Sequence, residues 1–120
     1  MFVLHEQLQK DCTVIGELPL CTLLLMNDAN YPWFVLVPRR EDKREWYELA
    51  AEEQQQLLRE TNSLAEYLQQ NTGSKKMNIG ALGNMVPQLH VHVIARFEGD
   101  AAWPSPVWGK VPAKAYDAAL

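Results

Sequence analysis

Histidine is scarce in this chain of 120 residues, which holds three. Cysteine is scarcer, limited to Cys12 and Cys21. Two cysteines are too few for a disulfide framework. They are expected as small buried hydrophobes in a reducing, cytoplasmic setting. Basic charge is also short: eleven Lys and Arg face fifteen Asp and Glu, for a formal net charge of −4. That argues against a nucleic-acid polymer as partner, because such binding needs a basic surface. A small phosphate-bearing ligand stays open, because local charge decides it. Long apolar runs are missing too. "LCTLLLM" (20–26) is far too short to span a bilayer, and no basic segment followed by an apolar run opens the chain. Neither a membrane partner nor a signal peptide is expected. There is no internal repeat and no low-complexity tract.

What remains is an ordinary globular composition, 48% hydrophobic and 22% charged, in a length that suits one domain over 1–120 with a single core. Residues 2–11 carry Phe2, Val3, Leu4 and Leu8 at near-helical spacing, which predicts a short helix containing His5, with no chemical role expected for that histidine. "CTVIG" (12–16) predicts a strand. "LCTLLLMND" (20–28) and "WFVLVP" (33–38) predict two buried strands of a hairpin, the second closed by Pro38. "RREDKRE" (39–45) is expected as a solvated loop. From Glu45 to Asn71, apolar residues recur at three- and four-residue steps, which predicts a long helix capped by Gly73. "KKMNIG" (75–80) predicts a further strand. The tail from Phe97 holds Trp103 and Trp108 among prolines and is expected to be irregular.

The stretch that carries chemistry is "PQLHVHVIAR" (87–96). Its alternation predicts a strand with Leu89, Val91, Val93 and Ala95 on a core face. Gln88, His90, His92, Ile94 and Arg96 share the other, polar face. Neighbours on one face lie roughly 6.5–7 Å apart. Two imidazoles so placed suit an anion, a metal, or nucleophilic and proton-transfer chemistry. A metal needs three or four ligands, and no third is obvious here, so neither metal nor cofactor is expected.

The order of these pieces resembles the histidine triad (HIT) superfamily of nucleotide hydrolases and transferases. The resemblance is carried by Asn78-Ile79-Gly80, by Gly83-Asn84-Met85-Val86-Pro87-Gln88-Leu89-His90-Val91-His92, and by Val93 to Arg96. It covers roughly residues 2–109, leaving a tail over 110–120. The chain departs from the family pattern at four places. Gln88 stands for the first triad histidine, Asn84 for a glutamine, Ala95 for a proline, and Trp33 for a histidine. The resemblance implies an α+β fold, an antiparallel sheet of about five strands with the long helix packed on it. It implies a homodimer and a small nucleotide as partner. It also implies attack by His90 on an α-phosphate, as in dinucleoside polyphosphates or nucleoside phosphoramidates, through a covalent nucleotidyl-histidine. His92 contacts phosphate, and Gln88 orients His90 or meets the leaving group. Asn84 and Asn78 contact phosphate, or ribose in the case of Asn78, and Asn27 or Asp28 meets the ribose. Trp103 and Trp108 close over the site or pack at a dimer interface. The alternative from a different class is a nucleotide-binding module that has lost turnover.

Overall fold

The computed structural model describes residues 1–117; the last three residues of the expected tail lie outside them. The chain runs through helix α1 (Glu6–Asp11), strands β1 (Cys12–Glu17), β2 (Cys21–Met26) and β3 (Trp33–Pro38), a 3₁₀ turn (Trp46–Glu48), helix α2 (Ala51–Thr72), and strands β4 (Lys76–Gly80) and β5 (Val91–Arg96). The strands form one antiparallel sheet in the order β1-β2-β3-β5-β4. The fold is thus α+β, with five strands and a long helix packed on them, as the sequence resemblance implied.

The hairpin β2–β3 forms as the two apolar runs predict, with Cys21 opposite Pro38. Helix α2 carries the chain over the sheet from β3 to the outer strand β4, and β5 then returns into the gap between them. Gly73 ends α2 at φ 69° and donates its N–H to the Gln69 carbonyl at 2.9 Å. That left-handed turn is one glycine adopts without steric cost. The predicted single helix from Glu45 is instead a 3₁₀ turn and then α2, because Leu49 and Ala50 are extended. The Glu53 carboxylate receives the Ala50 N–H at 3.0 Å and starts the new helix.

Both faces of the sheet are covered. On one, Leu36, Leu89, Val91 and Val93 meet Leu49, Leu57 and Leu68 under α2. On the other, Trp33, Val35, Val37 and Ile94 meet Leu8 of α1 and Ala102 and Val107 of the C-terminal tail. Cysteines 12 and 21 are buried free thiols, and burial, aided by Asp11, pushes Cys12 up to about 12.

Three local expectations are corrected. Residues 2–4 are not helical: the Gln88 amide takes the His5 N–H at 2.8 Å and donates to the Val3 carbonyl at 2.9 Å, which draws the segment out straight. The charged run 39–45 is solvated only in part: Glu41, Asp42, Arg44 and Glu45 are exposed, while Arg39, Arg40 and Lys43 are half-buried and tied to the rest of the fold. Arg39 donates to the Leu18 carbonyl at 2.7 Å, Arg40 pairs with Glu53, and the Lys43 carbonyl receives the Leu89 N–H at 2.8 Å. Strand β5 begins at Val91, so His90 sits just before it. Among the described residues no helix is long and apolar enough to cross a membrane.

Candidate active site

The alternation in β5 sorts the side chains as expected, Val91 and Val93 towards α2 and His92 and Ile94 away from it. The polar face, however, is largely buried. His90 is 6% exposed, His92 5% and Arg96 1%; the C-terminal tail lies over the last two, with Trp108 against His92 and Trp103 against Arg96. The rings of His90 and His92 stand edge to face, with centroids 4.9 Å apart.

Each histidine has one ring nitrogen engaged. His90 Nδ1 lies 2.7 Å from the Gln88 carbonyl. A carbonyl oxygen only accepts, so Nδ1 carries the proton and Nε2 keeps a lone pair. His92 Nδ1 receives the Trp33 indole N–H at 3.0 Å. Trp33 stands opposite Ile94 across the β3–β5 pairing, which sets His92 on its diagonal, within reach of an aromatic side chain. On the other side His92 faces Gly80 of β4. A Cβ at Gly80 would come within 3.3 Å of the Trp108 ring, so glycine there admits Trp108 beside His92, at a centroid distance of 5.4 Å. Burial, and then the neighbouring His90, push His92 down to about 3. Burial also holds His90 below 6.5; the Gln88 carbonyl pulls the other way and the nearness of His5 adds to the depression. Both rings are therefore neutral at pH 7.

Two cavities meet at His92. One, of about 450 Å³, is bordered by Met26, Asn27, Asp28, Trp33, His92 and Trp108. The other, of about 260 Å³, is bordered by Gly83, Asn84, Val86, His90 and His92. A narrow site with a larger aromatic chamber on one side and a small glycine-walled one on the other suits a flat ring joined to a compact anion.

Of the residues singled out in the sequence, His90, His92, Asn84, Asn27 and Asp28 come together around these cavities. Asp28 is buried, and its Oδ1 receives the Asn30 N–H and the Lys114 N–H at 3.0 and 3.2 Å, so it builds the β2–β3 turn and ties down the tail. Asn27 is exposed, with its Oδ1 receiving the Thr13 hydroxyl. Three others stand apart from the cavities. The Gln88 side chain is spent on Val3 and His5, and it is its backbone carbonyl that orients His90. Asn78 accepts from Arg96 at 2.7 Å. Trp103 lies over the Arg96 guanidinium at 5.7 Å, so Trp108 rather than Trp103 borders the site. Sequence reasoning missed the part played by Trp33, although its place at the head of β3, where the resemblance expects a histidine, was the signal. Among the described residues no three His, Cys, Asp or Glu side chains converge as a metal cage would.

A family model described as "HIT domain" matches residues 7–99. Among solved structures, the chain is similar to a histidine triad protein of Bradyrhizobium japonicum, at 51% identity and a TM-score of 0.97, over 98% of this chain and 88% of that one. It is similar to one of Marinobacter aquaeolei VT8 at 55% identity and 0.96, over 98% and 85%. It is likewise similar to one of Sinorhizobium meliloti 1021 at 52% and 0.95, over 97% and 86%. No curated protein matches. With a family model over most of its length, and with relatives above half identity across nearly all of it, the chain belongs to the histidine triad (HIT) family.

Proposed function

We propose that the protein is a nucleotide phosphohydrolase or nucleotidyl transferase that works through a covalent intermediate on His90. The observation that carries this reading is the Nδ1 contact of His90 with the Gln88 carbonyl, which leaves an Nε2 lone pair beside His92. A phosphoanhydride repels anionic nucleophiles, and a neutral imidazole approaches it without that penalty. Nε2 forms a bond to the α-phosphorus while the bond from phosphorus to the leaving oxygen or nitrogen breaks, and the leaving group takes a proton from solvent water. Water, or another hydroxyl acceptor, then forms a P–O bond as the P–N bond breaks, its proton returns to solvent, and the neutral imidazole is restored. Charge on the phosphoryl oxygens is met by His92 and Asn84. The ring and ribose occupy the larger cavity between Trp33, Trp108 and Asn27. The substrate class is a dinucleoside polyphosphate or a nucleoside phosphoramidate. The same reading includes a homodimer in a reducing compartment, where Cys12 and Cys21 stay thiols.

A second reading, nucleotide binding with little turnover, is favoured by Gln88, whose side chain gives nothing to the cavities. Rapid quenching with labelled nucleotide, followed by peptide mass spectrometry, separates the two. The enzyme reading requires an acid-labile nucleotidyl group on the peptide containing "QLHVHVIAR". His90→Ala should abolish turnover and still bind nucleotide. Wild-type turnover in that variant, or label on another peptide, would falsify the mechanism, and binding without any adduct or turnover would leave the module.

A further inference from the structure

We infer that Trp33 is a positioning residue that fixes His92 in the ring form presenting an N–H, at Nε2, to the reacting phosphate. The inference rests on the reading of the site as a nucleotide-phosphate site. Its geometry is the 3.0 Å contact from the indole N–H to His92 Nδ1. Indole nitrogen is a donor and never an acceptor, so Nδ1 must offer a lone pair. A neutral imidazole then carries its proton on Nε2, and Nδ1 being taken, it is Nε2 that is left to the two cavities His92 borders.

The result is a matched pair. His90 has its proton on Nδ1 and a lone pair on Nε2; His92 has the reverse. Two rings two residues apart thus offer a nucleophile and a donor to one place. Had both rings the form of His90, two lone pairs would face a negatively charged phosphate. A histidine at position 33, able to donate or accept, would let the form of His92 follow pH. Trp33 allows no such choice, because a second proton on Nδ1 would face the indole N–H. The ring is also boxed in, with Trp33 and Trp108 at centroid distances of 5.7 and 5.4 Å. The titratable groups around it are His90 at 4.9 Å and, across the larger cavity, Lys10 and Asp11 of α1 and Asp28 of the β2–β3 turn. None of them replaces the indole at Nδ1.

The test is long-range ¹H–¹⁵N spectroscopy of protein labelled at histidine and tryptophan. His92 should show the Nε2–H form alone from about pH 8 to about pH 5, with a through-hydrogen-bond coupling between its Nδ1 and Trp33 Nε1. A proton on Nδ1, a mixture of forms, or a cationic His92 in that range would overturn the inference. Trp33→Phe removes the donor and keeps a ring. It should let His92 populate the Nδ1–H or cationic form and lower kcat about tenfold or more with KM little changed, a fraction of what losing a whole donor costs. Trp33→His restores a ring N–H without fixing its direction, so it should recover part of that loss above pH 7 while the form of His92 now changes with pH. A folded Phe variant with unchanged ring spectra and wild-type kcat, or equal loss in both variants, sinks the idea. Should the Phe variant not fold, the wild-type and Trp33→His spectra decide. If the wild type turns over no nucleotide, the functional reading fails while the ring spectra still judge Trp33.

Discussion

At the scale of single residues, His92 is where burial and chemistry meet. Alternation alone predicts that its removal leaves the core closed, as on a wet face. Instead His92 is 5% exposed and accepts the hydrogen bond of the buried Trp33 indole N–H. His92→Ala should therefore cost about 1–3 kcal/mol of stability, the usual penalty for stranding a buried donor, read by urea denaturation. It should also lower turnover about 10²–10³-fold, as expected for a lost phosphate donor. Full activity in a folded variant would remove His92 from the site. A pH effect follows from the same burial. His90 and His92 both titrate below their ordinary 6.5, so the unfolded chain binds protons that the folded one refuses. The stability this contributes is complete above 6.5 and is lost as pH falls towards about 3. Urea midpoints should decline across that window in the wild type and decline less in His92→Gln; parallel profiles would argue against a buried neutral ring.

At the scale of elements, the joint between β4, β5 and the tail is built on Arg96. Its Nε and Nη2 hold both oxygens of Asp100 at 2.7 and 3.0 Å, Nη1 donates to Asn78, and Nη2 also donates to the Ser105 carbonyl. Burial by itself would raise the Asp100 pKa, but Arg96 and the N–H groups of Phe97, Ala102 and Trp103 outweigh it and hold the carboxyl well below the usual carboxylate range. The stability the pair contributes is thus present above about 3.8 and persists into acid, failing only as pH drops through the depressed value. Arg96, which alternation placed on the polar face, is thus a structural charge. Breaking the pair with Asp100→Asn strands a buried guanidinium, which typically costs about 3–5 kcal/mol. The tail should then lift from Gly80 and His92. Trypsin should cut faster at Lys110 and Lys114, and nucleotide should bind more weakly. Unchanged melting and unchanged cleavage would show that this pair does not anchor the tail.

At the scale of the whole molecule, the sheet ends in an open strand. Among the described residues β4 bonds to β5 on one side only, and Ile79 on it is 48% exposed. An open edge with an exposed apolar residue is a surface that chains tend to cover. The tryptophans do not serve that need: Trp33 and Trp108 pack on each other at 6.3 Å, and Trp103 lies on Arg96. The homodimer expected from the resemblance would therefore be joined by other surface, such as the β4 edge or the opposite edge β1, which exposes Val14 and Ile15. Light scattering at micromolar concentration should give twice the 13.7 kDa chain mass, and Ile79→Lys should shift it towards one chain if β4 forms the joint. A wild-type protein of single-chain mass would dispose of the dimer.

Which parts of this were legible beforehand follows from the range of the forces involved. The run "WFVLVP" closed by Pro38 gave β3 to the residue, and the stripe ending at Gly73 gave α2 to within a residue at its end. The alternation from Leu89 to Ile94 sorted Leu89, Val91 and Val93 under α2 from His92 and Ile94 on the other face. Periodicity and turn chemistry are local, so a sequence determines them by itself. Family spacing likewise singled out His90 and His92. The tertiary structure alone decided what each of these residues touches. Gln88 turns away from the site because partners 83 and 85 positions distant take both ends of its amide. The histidine face is largely buried because the tail crosses it, and Trp108 rather than Trp103 reaches it because Arg96 holds Trp103 and Gly80 makes room. Asp28 holds the turn through Asn30 and the tail through Lys114, which arrives from 86 residues away. Burial, ring form and proton affinity depend on groups that meet only when distant segments pack, and no spacing within a strand encodes them.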